Sequence, residues 1–260
     1  MAILDLLSLE NKVAVVTGGG GTLGKQLVQA LAEAGATTIL ASRTLASIEE
    51  VAASQRTLGH DVVAMDYDQS DESSVLALRD KVMQRYGKID ILVNNAVARP
   101  MKGGYHDDAS AFNESMQINA TGLFVITRAF GDIMAEQGSG SIINIGSIQG
   151  MVGPDPMVYR DSGNHGWYPD YFFHKGGVLN FTRFVASYYG SSAVRCNCIS
   201  PGGIALNQPE AFVRQYSERT CLNRLANDTD FQGIIVLLAS DASMYITGAN
   251  IPVDGGYTAK

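Results

Sequence analysis

The chain predicts an α/β fold: one open, doubly wound sheet of about seven parallel strands with helices packed on both faces. Two observations carry this expectation. Short β-branched apolar runs alternate with longer amphipathic stretches from one end of the chain to the other, without repeat, linker or low-complexity segment, which is the pattern of βαβ units. The runs are also nearly continuous in hydrophobicity rather than alternating, as strands buried on both faces require.

Taken in order, strands are predicted over 12–17, 37–42, 61–66, 89–94, 141–147, 193–199 and 249–253. Between them Leu23, Leu27, Leu31 and Ala34 recur at helical spacing, as do Val75, Leu78 and Val82, and then Leu123, Ile126, Phe130 and Ile133. Crossovers of this length are right-handed, so one sheet and one domain over 1–260 account for the whole chain. Two segments break the rhythm: 148–170, rich in Gly, Pro and Asp, and 202–226. Long irregular segments in a compact domain form functional rims, and substrate contacts are expected there.

Composition narrows the function classes. With 46% hydrophobic and 17% charged residues the 260-residue chain can bury a substantial core. Acidic residues outnumber basic ones, 26 to 19, and no block of like charge occurs, so a nucleic-acid footprint is absent. The longest apolar run, 234–239, falls far short of the roughly 18 residues of a membrane span. The N-terminal stretch lacks a basic region and Asp5 interrupts its apolar residues, so a cytoplasmic protein is expected. Three cysteines suit reduced thiols, and Cys196 and Cys198, on one face of a strand, are read as core residues ahead of a metal pair.

The string TGGGGTLG at 17–24 follows the first strand and opens the first long helix. Small residues there let backbone N–H groups and a helix N-terminus approach a pyrophosphate, so a dinucleotide loop is expected, with Gly18, Thr22, Leu23 and Gly24 at the cofactor.

This string resembles the TGxxxGxG of the short-chain dehydrogenase/reductase family, and the resemblance extends across nearly the whole chain. NNAV at 94–97 is similar to the family's NNAG, Asn119 matches its helix asparagine, Ser147 its serine after the fifth strand, and Tyr171 with Lys175 its YxxxK pair. Pro201 and Gly202 in PGG, and VDGGY at 253–257, match as well. The resemblance implies a Rossmann-type fold and a catalytic set of Asn119, Ser147, Tyr171 and Lys175. It further implies cofactor contacts at Asn95, Ala96, Tyr171, Lys175, Pro201, Gly202 and Ile204. Three departures stand out. Thr22 and Val97 occupy family glycine positions, and Ser147 and Tyr171 are 24 residues apart where about a dozen is common.

The choice of nicotinamide turns on the end of the second strand. A carboxylate there would bind the ribose of NAD and repel a 2′-phosphate, but Ser42 stands in its place and Arg43 follows, which ranks NADP(H) ahead of NAD(H). The resemblance implies that Asp68, followed by Gln69, lies at the adenine, with Asp66 as rival.

Hydride transfer to a carbonyl needs a proton donor for the oxygen. Tyr171 is the candidate, with Lys175 four residues on along the same helix face to lower its pKa. Ser147 is expected to polarise the substrate oxygen. The resemblance implies that Lys175 also holds the nicotinamide ribose and that Asn119 holds a water linking Lys175 to solvent. His174 is assigned to packing or surface, His165 in the insert to substrate contact, and Tyr188 and Tyr189 to packing or subunit contacts.

The reading is therefore an NADP(H)-dependent oxidoreductase interconverting a carbonyl and a secondary alcohol. The polar insert with Arg160, and its similarity to the gluconate 5-dehydrogenase-like or sugar-modification branch, point to a sugar, sugar acid or polyol. The alternatives are a 3-oxoacyl-thioester reductase and a non-catalytic NADP-binding sensor. Family members pair the long helices that here begin near Ala111 and Asp170, so a homo-oligomer, a tetramer, is expected.

Overall fold

The computed structural model describes residues 2–160 and 167–260. Seven strands form the sheet: β1 Val13–Thr17, β2 Thr37–Ser42, β3 Val62–Asp66, β4 Ile91–Asn94, β5 Gly140–Ile145, β6 Val194–Pro201 and β7 Asn250–Val253. The helices are α1 Ile3–Leu7, α2 Thr22–Glu33, α3 Leu45–Thr57, α4 Glu72–Tyr86, α5 Ala109–Met116, α6 Leu123–Gln137, α7 Pro156–Tyr159, α8 Pro169–Tyr189, α9 Glu210–Arg219 and α10 Gln232–Ala239.

In space the strands run β3-β2-β1-β4-β5-β6-β7, and every neighbouring pair is parallel. The order reverses between β1 and β4. At such a switch point the loops leave the two strands in opposite directions and open a crevice at their carboxyl ends.

Alternate residues of each strand serve different cores. Ala14 and Val16 pack with Leu27, Leu31, Ile48, Ile235 and Leu238 from α2, α3 and α10. Val13 and Val15 pack on the opposite face with Val75, Leu78, Ile126, Phe130 and Val185 from α4, α6 and α8. Both faces of β1 are thus buried, which is why its five residues read as one apolar run. Asp71 caps α4 by accepting from the Ser73 N–H, and left-handed Gly87 and Gly138 end α4 and α6.

The two predicted rim loops are partly helical. Segment 148–170 contains a 3-10 turn, Ile148–Gly150, then α7 and the start of α8; segment 202–226 contains α9. Asp155 caps α7 and Pro156 opens it, so residues that read as breakers here start a helix. Phe212 and Tyr216, one turn apart on α9, join Ile148, Val158, Leu225 and Tyr257 in a small core of their own. No helix among the described residues is long and apolar enough to cross a membrane.

Candidate active site

The Gly-rich loop is shaped by close backbone approach. Gly18 takes φ +65°, and a Cβ on Gly24 would stand 2.3 Å from the Gly18 carbonyl oxygen, so α2 can meet the loop this closely only without side chains. Thr22 is the exposed first residue of α2, and neither it nor Val97 has a positive φ, so both replace glycine without strain. Asn95 braces the loop through Nδ2, which donates to the carbonyls of Thr17 and Gly18 at 3.0 and 3.1 Å. The Ala96 N–H donates to Thr17 Oγ1 at 3.0 Å.

Beside this loop a cavity of about 140 Å³ is lined by Gly18, Ser42, Arg43, Asp68, Gln69 and Ala96 among others. Asp68 Oδ1 accepts from the backbone and hydroxyl of Ser70 at 2.9 and 2.7 Å. Burial opposes ionisation of the Asp68 carboxyl, but Ser70 and the Arg43 charge outweigh it and hold it below the usual range. Its rival Asp66 pairs instead with Lys81 at 2.9 Å on the surface. The Gln69 side chain is committed to protein, accepting from the Tyr67 hydroxyl and donating to the Ile118 carbonyl. Its backbone is the part left to face a cofactor without breaking these bonds.

A larger cavity of about 400 Å³ adjoins the first at Val97 and contains Leu23, Asn95, Ser147, Tyr171, Lys175, Pro201, Gly202 and Ile204. Ser147 lies two residues beyond β5 rather than within it, and its Oγ accepts from the Gln149 N–H at 3.1 Å. The following turn presses on α8 at Gly150, where a Cβ would stand 2.4 Å from the Lys175 carbonyl oxygen. That approach brings Ser147 beside Tyr171 despite the 24 residues between them. Lys175 is buried, donates from Nζ to the Ile145 carbonyl at 2.5 Å, and places Nζ 5.7 Å from the centre of the Tyr171 ring.

Burial works against ionisation of the Tyr171 phenol. The charges of Lys175 and Arg99 and hydrogen bonding from Ser147 outweigh it and pull its pKa below the ordinary tyrosine value. Lys175 is itself lowered, chiefly by burial.

Asn119 lies in a π-helical turn, Gln117–Gly122, that interrupts the long helix expected here. Its amide clamps Ala98 from both sides, accepting from the Ala98 N–H at 2.9 Å and donating to its carbonyl at 2.8 Å. A cavity of about 10 Å³, the size of one water, lies among Asn119, His174 and Lys175.

A family model described as Enoyl-(Acyl carrier protein) reductase matches residues 20–258. The chain belongs to the short-chain dehydrogenase/reductase family. It is 33% identical over 253 residues to cis-4-hydroxycyclohexanecarboxylate dehydrogenase of Sinomonas cyclohexanicum, covering 95% of this chain and 97% of that protein. It is 32% identical over 268 residues to 2-dehydro-3-deoxy-D-gluconate 5-dehydrogenase of Pseudoalteromonas atlantica, covering 99% and 100%. The crystal structure of a gluconate 5-dehydrogenase from Burkholderia cenocepacia J2315 in complex with NADP and tartrate matches with a TM-score of 0.90 at 27% identity, covering 100% of both chains. This short-chain dehydrogenase/reductase is an enzyme that binds a nicotinamide cofactor and acts between CH–OH and C=O.

Several residues of this dehydrogenase site escape sequence reasoning. Arg99 stacks on Tyr171, its guanidinium carbon 4.5 Å from the ring centre. Asp170 lines the crevice with 2% exposure and accepts from the Ser115 hydroxyl at 2.5 Å. His174, by contrast, is assigned to packing or surface by the sequence, and it is buried, edge-on to Tyr171 at 5.2 Å. A lone arginine in a loop carries no periodic signal; its place two residues after NNAV was the available hint.

Arg160 lies in a separate groove with Arg214 and Glu218, so the substrate contact expected of it is corrected: the insert contributes Tyr159, Tyr168 and Asp170 to the crevice instead. His165 lies outside the described residues. Cys196 and Cys198 are fully buried, with burial pushing both thiols up.

Proposed function

We propose that the protein is an NADP(H)-dependent oxidoreductase that interconverts the carbonyl and secondary alcohol of a small polar molecule, a sugar, sugar acid or polyol. The observation that carries the reading is the Tyr171 phenol set between Lys175 and Ser147 in the crevice at the sheet's switch point.

The bound nicotinamide supplies or accepts the hydride. Tyr171 gives its proton to the developing alkoxide in reduction and takes it back in oxidation, for which a lowered pKa is needed. Ser147 Oγ accepts from Gln149 and carries one proton, which turns from Tyr171 to the substrate oxygen when substrate binds. Lys175 supports the phenolate and holds the ribose. It exchanges protons through a water beside Asn119, and because the Asn119 side chain is spent on Ala98, its main chain is left to hold that water.

The cofactor preference rests on Ser42 and Arg43. Arg43 forms no ion pair among the described residues, and the nearest strand-end acid, Asp66, is held away by Lys81. Gly18, Thr22, Leu23 and Gly24 take the pyrophosphate, Asp68 and the Gln69 backbone the adenine, and Asn95, Ala96, Pro201, Gly202 and Ile204 the nicotinamide half.

One domain spanning the chain works as a homo-oligomer, a tetramer, in the cytoplasm. Exposed Phe124 on α6, and exposed Phe184 and Tyr188 stacked on α8, are aromatic surface suited to helix pairing. A spectrophotometric screen of carbonyl compounds with NADPH tests the reading. Turnover that Tyr171→Phe abolishes supports it; absence of any turnover removes it.

A further inference from the structure

We infer that Arg99 anchors the substrate, and that the substrate is a hydroxy or oxo carboxylic acid whose carboxylate this guanidinium holds. The inference rests on the oxidoreductase reading above and selects acids from the wider set of sugars, sugar acids and polyols.

Arg99 is the arginine that lines the crevice, and it differs from five others that are committed to acids. Arg56, Arg79, Arg128, Arg219 and Arg224 each pair with an acid, at 2.5 to 3.3 Å. Arg99 lines the crevice, and among the described residues no carboxylate pairs with it. Asp170, the acid among the described residues that line the crevice, accepts from Ser115 through one oxygen and forms no ion pair with Arg99. Lys175, the other cation of the crevice, is buried with Nζ on the Ile145 carbonyl and turned to Tyr171.

The remaining walls offer a carboxylate no charge. Ile148, Ile204, Leu206 and Phe212 are apolar, and Tyr159 and Tyr168 present aromatic rings. In a protein with net charge −7, a local cation favours entry of an anionic substrate. Among the described residues that line the crevice, Arg99 is the exposed cation without an acid partner. About 400 Å³ must also admit the nicotinamide end of the cofactor, so the acid has a compact body that contacts aromatic walls.

Arg99 is also held in place before any ligand arrives. Ser115 Oγ donates to Asp170 at 2.5 Å, Asn119 Nδ2 donates to Ser115 Oγ at 3.0 Å, and the Asn119 amide grips both backbone groups of Ala98. This chain of bonds ties the residue before Arg99 to the residue before Tyr171. The guanidinium carbon lies 4.5 Å from the Tyr171 ring centre, and the group's N–H donors exceed what Tyr171 can take, so others can meet a planar carboxylate. The reacting carbon then sits at the Tyr171 hydroxyl and Ser147 while the carboxylate sits at Arg99.

The test compares matched carbonyl pairs with NADPH: levulinate against levulinamide, an oxocyclohexanecarboxylate against its amide, and a ketogluconate against sorbose. Wild type is expected to favour the acid, and Arg99→Gln to lose about 10- to 100-fold more kcat/KM on the acid than on its neutral partner. Arg99→Lys should retain part of that preference, and equal melting temperatures show that the variants are folded. Calorimetric titration of cyclohexanecarboxylate into the NADPH complex gives a readout independent of turnover, and the Arg99→Gln complex should lose that binding. Equal losses on acid and neutral partner, preference of wild type for the neutral compounds, or carboxylate binding unchanged by Arg99→Gln would each overturn the inference. If no carbonyl is reduced at all, the oxidoreductase reading fails, and the calorimetry still decides the role of Arg99.

Discussion

Ser115 donates to Asp170 at 2.5 Å, joining α5 to the first turn of α8 directly beside the proposed proton donor. Asp170 is 2% exposed and its second oxygen has no partner among the described residues, so this bond satisfies half of a buried carboxyl group. Removing it leaves both oxygens unmet in a site with little access to water. Ser115→Ala is expected to lower stability by about 1–3 kcal/mol in urea unfolding, and to loosen the clamp on Ala98 that positions Arg99. An unchanged unfolding midpoint would show that Asp170 finds another donor.

The two cations at Tyr171 set the pH dependence of alcohol oxidation. A phenol whose folded pKa is lowered ionises at lower pH, so the oxidation rate should rise with pH through an apparent value below the tyrosine reference of about 10. Arg99→Gln removes one of those charges, and the rising limb should move to higher pH. Tyr171→Phe should abolish the limb together with nearly all turnover while NADPH still binds, because only the transition state needs the hydroxyl. A limb that stays in place in Arg99→Gln would show that Lys175 alone sets it.

Selectivity for NADPH over NADH is expected to depend on Arg43. Fluorescence titration of Arg43→Ala should show NADPH affinity weakened by about 1.5–3 kcal/mol, with NADH nearly unaffected, as for loss of a charge-assisted hydrogen bond. Tighter binding of NADH by the wild type would reverse the cofactor assignment.

Much of this fold and site is legible in the sequence, and the rest is not, for physical reasons. Doubly buried strands produce continuous apolar runs, so all seven were found, with β2 matching at both ends and β5 ending two residues early. The Gly-rich loop and the Tyr171–Lys175 pair are local patterns, and one helix turn fixes their geometry. The helix α9 was missed because its buried face consists of little more than Phe212 and Tyr216. Arg99 and Asp170 were missed because their meaning comes from long-range contacts. Asp170 meets Ser115 across 55 residues of chain, and nothing near either residue in sequence announces the other.

Oligomer formation should depend on the aromatic surface of α6 and α8. Phe184 is 59% exposed and stacks between Phe181 and Tyr188, so Phe184→Glu sets a charge between two rings without disturbing the core behind them. Light scattering is expected to show a smaller species than wild type. A wild-type monomer, or an unchanged assembly in the variant, would move the interface elsewhere.

His174 should make the fold sensitive to mild acid. Its ring is 4% exposed, Nε2 has no partner among the described residues, and burial, followed by the charges of Lys175 and Arg99, depresses its pKa to about 3. In the unfolded chain the imidazole titrates near 6.5. Below that value the unfolded state takes up a proton that the folded state refuses, so the contribution is fully present above the unfolded pKa. It is lost as pH falls toward the folded pKa. The slope approaches about 1.4 kcal/mol per pH unit, which makes a loss of about 2 kcal/mol by pH ~5, before most carboxylates begin to titrate. His174→Asn removes the titrating group while keeping a polar side chain. Its unfolding free energy should therefore be flatter between pH ~6.5 and pH ~5, even if its absolute stability is lower from lost packing against Tyr171. Urea unfolding of both proteins across that interval measures the two slopes, and parallel slopes would mean that His174 accepts a proton in the folded state at ordinary pH.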